Sequence, residues 1–276
     1  ARIDTVMEAH VANRRIAGAV ALVMRHGRIV HLKAYGRQDI ERGVPMATDS
    51  LFRLASMSKA ITVAAAMTLV EEGALLLGDP VSKYIPAFAK TDVVVAPAPA
   101  APPGTRLGRV PAKRPITVRD LMTHTAGISY GSGALEADYK AANLLGWYCA
   151  DHDETIGQFV DRLATMPFAA QPGEQFVYGF GTDILGRVIE VAAGQPLDVA
   201  LRQRILDPLR MRDTSFFVPG EKASRLATVY GLSRDGTLTR APETGDEGMG
   251  STGQGAYVTG PRKCFAGGAG LVSTIT

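Results

Sequence analysis

The chain has 276 residues, 46% of them hydrophobic and 21% charged, with a formal net charge of +3. That is enough apolar material for one large domain or two lobes sharing a seam. The weak basic excess, with no Lys/Arg run and no interleaved aromatics, argues against a nucleic-acid partner, and the longest apolar stretch, Ala60 to Val70, is too short for the roughly 20 residues that cross a bilayer.

Apolar positions Ile3, Val6, Met7 and His10-Val11 recur at helical spacing and predict an amphipathic helix over 3–13. Ala17–Met24 and Arg28–Tyr35, joined by Arg25-His26-Gly27, predict a β-hairpin. Ser50–Leu54 suits a short strand. Ser56–Glu72 is Ala-rich, apolar on one side and followed by Gly73, the pattern of a helix closed by a C′ glycine. Residues 93–115 carry six prolines and no helical period, which predicts a surface loop. Thr117–His124, 133–145 and 153–165 are expected helices, the last with Asp153 as N-cap. Pro172-Gly173 marks a turn, Thr182–Ala193 a helix ending at Gly194, and Pro196–Leu206 another. Residues 244–270 are Gly-rich and expected to be irregular. A lone hairpin with open edges is marginal. Few further strand candidates exist beyond Ser215–Val218, so the sheet is expected to be incomplete.

Cys149 and Cys264 lie far apart and form no CxxC. Neither a disulfide framework nor a catalytic thiol is expected, and a reducing, cytoplasmic compartment fits. The start, Ala1-Arg2-Ile3-Asp4, has no signal-peptide character; a leader removed earlier would point instead to a periplasmic or secreted protein.

Ser56-Met57-Ser58-Lys59 places a hydroxyl and an amine three residues apart on one helix face, within reach of each other. A serine hydroxyl becomes a useful nucleophile only when a neighbour takes its proton. In the first turn the helix dipole disfavours the Lys59 cation, and burial under Ala60–Val70 adds to that, so a lowered pKa is expected. Free backbone N–H groups at the helix start, that of Ser56 included, suit a developing oxyanion. The plainer alternative is Ser56 as an N-cap and Lys59 as a solvated helix residue.

Phe52-Arg53-Leu54-Ala55-Ser56-Met57-Ser58-Lys59 resembles the nucleophile box of serine β-lactamases and penicillin-binding proteins, and more narrowly that of family VIII carboxylesterases, which share the class C β-lactamase fold. Further stretches carry the same resemblance in order: Leu77-Gly78-Asp79-Pro80-Val81, the segment Ile116 to Gly127, Pro172-Gly173 with Phe176-Val177-Tyr178 and Asp183-Ile184-Leu185-Gly186, and Gly267 to Thr274. The resemblance implies an α+β fold of β-lactamase/transpeptidase type, an antiparallel sheet flanked by helices plus a mostly helical region. It divides the chain into 1–55, the N-terminal helix and hairpin of the α/β body; 56–265, the nucleophile helix and mostly helical region; and 266–276, the return to the body. It implies Ser56 as the acylated nucleophile, Lys59 as its proton acceptor and Tyr178 as partner base, with no metal or organic cofactor.

Two departures qualify the resemblance. Where β-lactamases usually carry asparagine two positions after the tyrosine, this chain has Phe180, which favours an ester over an amide or β-lactam. Phe180 and Tyr130 are assigned to the substrate pocket. The chain also ends at Thr276, where the resemblance places a third motif and further strands; the expectation is a chain lacking that segment, its second oxyanion donor and part of its activity, or completing its sheet with a second copy or an exchanged segment.

Other motifs are weaker. Gly127-Ile128-Ser129-Tyr130-Gly131 matches a nucleophile elbow, but no strand precedes it, so Ser129 is expected in a turn. Gly248-Met249-Gly250-Ser251-Thr252-Gly253 matches a dinucleotide fingerprint without its strand and helix. Asp151-His152-Asp153-Glu154 is better explained by helix capping than by a metal. His124 is expected to be a hydrogen-bonded structural histidine. The expected activity is hydrolysis of small, short-chain esters through an acyl-enzyme, with weak β-lactam hydrolysis as a secondary activity. The alternatives are a class C-like β-lactamase, a D-Ala-D-Ala carboxypeptidase or D-aminopeptidase, and a non-catalytic penicillin-binding-like module.

Overall fold

The computed structural model describes residues 2–96, 107–145, 149–243 and 253–276. Helix α1 (Arg2–Ala12) lies on strand β2 (Arg28–Asp39), where Asp4 accepts from Lys33 Nζ and Tyr35 Oη, each at 2.8 Å. Strand β1 (Gly18–Arg25) pairs antiparallel with β2 through the two-residue turn His26-Gly27. Both turn residues have positive φ, 50° and 73°, the signature of a type I′ turn whose twist matches the flanking strands. Strand β3 (Val44–Pro45) extends the sheet to the order β1-β2-β3.

Strand β4 (Phe52–Arg53) leads into a 3₁₀ turn, Ala55–Met57, and then helix α2 (Ser58–Glu71). The α-helix thus begins two residues later than its apolar pattern suggests, with Ser56 in the 3₁₀ turn ahead of it. Gly73, at φ 72°, stands in the left-handed conformation just past the helix end. Residues 93–115 are not simply a loop. Strands β5 (Asp92–Val95) and β6 (Gly108–Pro111) pair antiparallel, because the β-branched run Val93-Val94-Val95 outweighs the prolines that follow it; 97–106 lie outside the described residues.

Helix α3 (Val118–Met122) opens with a capping box in which Thr117 and Asp120 satisfy each other's backbone N–H. Helix α4 (Glu136–Ala141) follows, then α5 (Ile156–Leu163). The N-cap of α5 is Thr155, in a second capping box with Gln158, rather than Asp153, whose carboxylate instead pairs with Lys263. Helix α6 (Gly181–Ala193) ends at Gly194, and α7 (Leu197–Leu201) continues into a π turn through Leu206. A hairpin unforeseen in the sequence, β7 (Tyr230–Leu232) with β8 (Leu238–Arg240), precedes the irregular 253–270. Strand β9 (Val272–Ser273) closes onto β4.

The main core gathers on α2 and α6. Ala65, Ala66 and Leu69 face Ile184, Leu185, Val188 and Ile189, all essentially excluded from water. Burying a Leu or Ile side chain contributes about 1.5–3 kcal/mol, so this contact holds the nucleophile helix against the helical region. Cys264 is disulfide-bonded and buried, correcting the expectation of unpaired cysteines and removing the argument for a reducing compartment. No described helix is long and apolar enough to cross a membrane.

Asp120 ties α3 to the segment before it. Its carboxylate takes two hydrogen bonds from Arg114, at 2.7 and 2.9 Å, as well as the cap contacts of Thr117. Burial opposes its charge, but Arg114 and Thr117 outweigh that and hold its pKa down at about 2. Asp120→Ala should therefore destabilise the fold by about 2–4 kcal/mol in urea titrations, since a cap and a charged pair go together. Because the folded-state pKa lies below the unfolded value near 4, the stability owed to this charge should be complete above about pH 4 and fade as the pH falls toward 2. The difference between wild type and variant should narrow over that interval.

Candidate active site

The 3₁₀ turn at Ala55–Met57 sets the geometry of the site. Ser56 sits in this turn and Lys59, three residues on, in the first turn of α2, so the two side chains emerge on the same side across the junction. Ala55 holds φ 46°, a left-handed conformation that costs a non-glycine residue about 1–3 kcal/mol and is tolerated here immediately before Ser56.

Lys59 Nζ donates to Ser56 Oγ at 3.1 Å, to Tyr130 Oη at 3.1 Å and to the Gly268 carbonyl at 2.7 Å. These three acceptors match the three donors of an ammonium. Tyr178 Oη donates to Ser56 Oγ at 2.7 Å. The Lys59 ammonium also sits 4.9 Å from the centre of the Tyr178 ring. Burial disfavours the Tyr178 phenolate, but the hydrogen bond with Ser56 and the nearby Lys59 cation overcome it and bring the phenol below its usual pKa of 10. Tyr130 moves the opposite way. It is more deeply buried, and the anionic surroundings of Asp183 and Tyr178 add to the effect, so its hydroxyl stays protonated.

Two loops bring the tyrosines together. Gly179 lies so close to the 128–129 backbone that a Cβ there would stand 2.2 Å from the Ile128 carbonyl oxygen. Only glycine permits the Tyr178 segment to run against the Tyr130 segment at this distance. The two rings meet edge to face at 5.6 Å.

Phe180 lies elsewhere than the sequence suggests. It is 3% exposed and packs edge-on against Tyr130 at 4.6 Å and Phe159 at 5.2 Å. It packs behind Tyr130, turned away from solvent. The apolar surface near the nucleophile comes instead from Met57 and Phe176, both largely exposed. Phe176 stacks along Tyr178 at 6.4 Å. Sequence reasoning assigned neither to the pocket.

Ser129 is buried in the turn between two positive-φ glycines, its Oγ accepting from Gly131 N–H at 3.1 Å and its side chain hydrogen-bonded with that of Tyr139. His124 packs its ring on Tyr178 at 4.7 Å, but its Nδ1 is buried without a hydrogen-bond partner, a correction to the hydrogen-bonded histidine expected. Burial and the Lys59 charge both disfavour its protonation. Of the acidic run, His152 and Arg162 both contact Glu154, while Asp151 accepts from the Ala256 N–H. No group of three metal-ligating side chains occurs among the described residues. Residues 248–252 of the dinucleotide-like motif lie outside the described residues.

Two groups reach the site to which the sequence assigned no role, although both lie in stretches that carry the family resemblance. The Gly268 carbonyl holds Lys59, and the carboxylate of Asp183, from the first turn of α6, accepts the Gly268 N–H at 3.0 Å. A carbonyl leaves no trace in residue identity. Asp183 could have been noticed as an acid within the otherwise apolar Ile184–Ile189 helix face.

A serine hydroxyl thus lies between a tyrosine and a lysine at the start of α2. The β-lactamase family profile matches residues 3–276, and the chain belongs to that family. It is 34% identical over 289 residues to esterase EstB of Burkholderia gladioli, covering 98% of this chain and 66% of that protein. It is 37% identical over 266 residues to protein Rv1367c of Mycobacterium tuberculosis, covering 94% and 59% respectively. Among solved structures, EstCE1, described as a hydrolase with promiscuous acyltransferase activity, superposes with a TM-score of 0.80 at 30% identity over 99% of this chain and 68% of that one. These likenesses agree with the family VIII esterase resemblance and with the β-lactamase/transpeptidase-like fold. The chain spans about three fifths of the length of the first curated relatives it matches.

The contact between Lys59 and Tyr178 makes a measurable demand. A pH titration of phenolate absorbance, wild type minus Tyr178→Phe, should place the Tyr178 midpoint below 10. Lys59→Met should move it upward, because the cation favouring the phenolate is gone.

Proposed function

We propose that this chain carries a serine esterase site that hydrolyses small, short-chain esters through an acyl-enzyme on Ser56. The observation that carries this reading is the placement of Ser56 Oγ within 2.7 Å of Tyr178 Oη and 3.1 Å of Lys59 Nζ. A tyrosine whose phenolate is favoured by a neighbouring cation can take the serine proton as Oγ attacks the ester carbonyl. Lys59 holds Ser56 and Tyr130 in register and offsets the negative charge that develops on the tyrosine. The proton then passes from Tyr178 to the departing alcohol, and water, deprotonated by the same tyrosine, releases the acid. The Ser56 N–H, at the start of the turn leading into α2, is the proposed oxyanion donor from this chain.

Several features support an ester substrate. Relatives bear the names esterase EstB and lovastatin esterase, the latter from Penicillium rubens and 33% identical over 260 residues. Met57 and Phe176 offer apolar surface beside Ser56 and Tyr178, which suits a hydrocarbon acyl chain. No residue of this chain that touches the site requires a metal or organic cofactor for such a reaction.

Incubation of the full chain with a fluorophosphonate followed by peptide mapping should find the label on Ser56. Ser56→Ala should reduce turnover of p-nitrophenyl butyrate to background, and Tyr178→Phe and Lys59→Ala should each lower kcat/KM by roughly 10²–10⁴. A label on Ser129, or cephalosporin turnover faster than that of the ester, would overturn the assignment.

A further inference from the structure

The segment 267–271 is held to α2 and α6 by a set of bonds with no counterpart elsewhere in the site. Thr62 Oγ1 donates to the Gly267 carbonyl at 2.8 Å, the Leu271 N–H donates to Ser58 Oγ at 3.1 Å, and the Leu54 N–H donates to the Leu271 carbonyl at 2.8 Å. Between these anchors Gly268 is held through both of its backbone polar groups, one in each of the peptide planes that meet at its Cα. Its N–H points to Asp183 Oδ1 and its carbonyl to Lys59 Nζ. Asp183 is 5% exposed, and its carboxylate accepts the Gly268 N–H. A buried carboxylate with so little solvation is expensive, and it is not needed to pack an apolar helix.

The fit around the Gly268 peptide is tight. A Cβ on Gly268 would stand 2.4 Å from Asp183 Oδ2, and one on Gly267 would stand 2.7 Å from the Thr182 carbonyl oxygen. The φ of Gly268 is not in the left-handed region, so the obstacle to a side chain is the Asp183 carboxylate itself and not backbone conformation.

We infer that Asp183 is a positioning residue for the esterase site: by fixing the Gly268 N–H it aims the carbonyl of the same residue at Lys59 and so sets the distance from Lys59 to Ser56 and Tyr130. The inference rests on the reading of Ser56 as nucleophile. Asp183 touches neither the nucleophile nor any atom that changes bonding. Its effect is transmitted through residue Gly268, whose N–H and carbonyl belong to adjacent peptide planes joined at its Cα, with Gly267 and Leu271 tied to α2 on either side. Displacement of Lys59 by about 1 Å would be enough to cost on the order of 10² in rate.

The variants that separate this role from a general structural one are Asp183→Asn and Asp183→Ala. Burial pushes the Asp183 pKa up; both variants remove its ionisable carboxyl, but only the asparagine keeps an oxygen able to accept the Gly268 N–H. On p-nitrophenyl butyrate, Asp183→Ala should lower kcat on the order of 10²-fold with KM within about threefold, whereas Asp183→Asn should stay within about tenfold of wild type. Phenolate titration gives a second readout that needs no substrate. The charged and titratable groups around Asp183 and Tyr178 are Lys59, Tyr130 and His124. The loss of the Asp183 ionisable carboxyl is common to the two variants. A displaced Lys59 should raise the Tyr178 midpoint in Asp183→Ala relative to Asp183→Asn. If Asp183→Ala does not fold, Gly268→Ala serves in its place, since it pushes the carboxylate and peptide apart and should produce the same loss of kcat and the same rise. Equal damage in the alanine and asparagine variants, or full activity in both Asp183→Ala and Gly268→Ala, would overturn the inference. Absence of ester turnover in the wild type would overturn the esterase reading instead, while the titration would still decide whether Asp183 places Lys59.

Discussion

The site depends on where one lysine ammonium is anchored. Lys59 extends from the first turn of α2 and ends among three oxygens that come from three separated parts of the chain: Ser56 beside it, Tyr130 after α3, and Gly268 near β9. These parts are held together by packing on α2 and α6, by the β4–β9 pairing and by the hydrogen bonds of 267–271 to Leu54, Ser58 and Thr62. A small apolar helix face built from Ala65, Ala66 and Leu69 lets α6 come close, and α6 carries Asp183 at its start. The hydrocarbon core therefore sets the electrostatics of the nucleophile. If α2 shifted on α6, the lysine would lose its register before any catalytic side chain was altered.

The division of labour between the two tyrosines follows from the same arrangement. Both hydroxyls lie near Lys59, yet their ionisation tendencies are driven apart. Tyr130 is enclosed, backed by Phe180 and Phe159, and shares its surroundings with Asp183. Tyr178 remains 43% exposed, bonded directly to Ser56 and lying under the Lys59 cation. Titratable groups of one chemical type separated in this way are the usual arrangement by which one fold assigns a proton acceptor and a fixed donor. The enclosed tyrosine suits a structural hydrogen bond, and the exposed one suits proton transfer.

Much of this could be read before any coordinates were known, and the parts that could not share a cause. Ser56, Lys59 and Tyr178 meet because their motifs are local and have side chains to display. The helix α2, the β1-β2 hairpin and the capping-box start of α3 have strong periodic or terminal signals. By contrast, the Gly268 carbonyl is backbone, and its identity says nothing about the lysine it faces. Phe180 misled because sequence position alone does not say which way a side chain turns at the start of a helix. It turns inward, and the residues offering apolar surface, Met57 and Phe176, are chemically ordinary. Strands β5 and β6 were hidden by the prolines between them, and β7 and β8 by their length of three residues each. The disulfide of Cys264 was missed because two cysteines far apart in sequence carry no information about proximity in space.

The site also holds several features that a stability argument would discard: Ala55 at φ 46°, His124 with an unpartnered buried Nδ1, and Asp183 buried in an apolar helix. Each would cost about 1–3 kcal/mol in isolation. These three lie against the nucleophile turn, the Tyr178 ring and the Gly268 residue, respectively. Local strain persists where the surrounding structure over-determines it, and here that structure is the well-packed pair α2 and α6. The same reasoning predicts an order of failure on heating or in denaturant: Tyr178 and Lys59 should lose their mutual contact before the helices separate, because the interactions that orient them are fewer and more costly than those that hold the core.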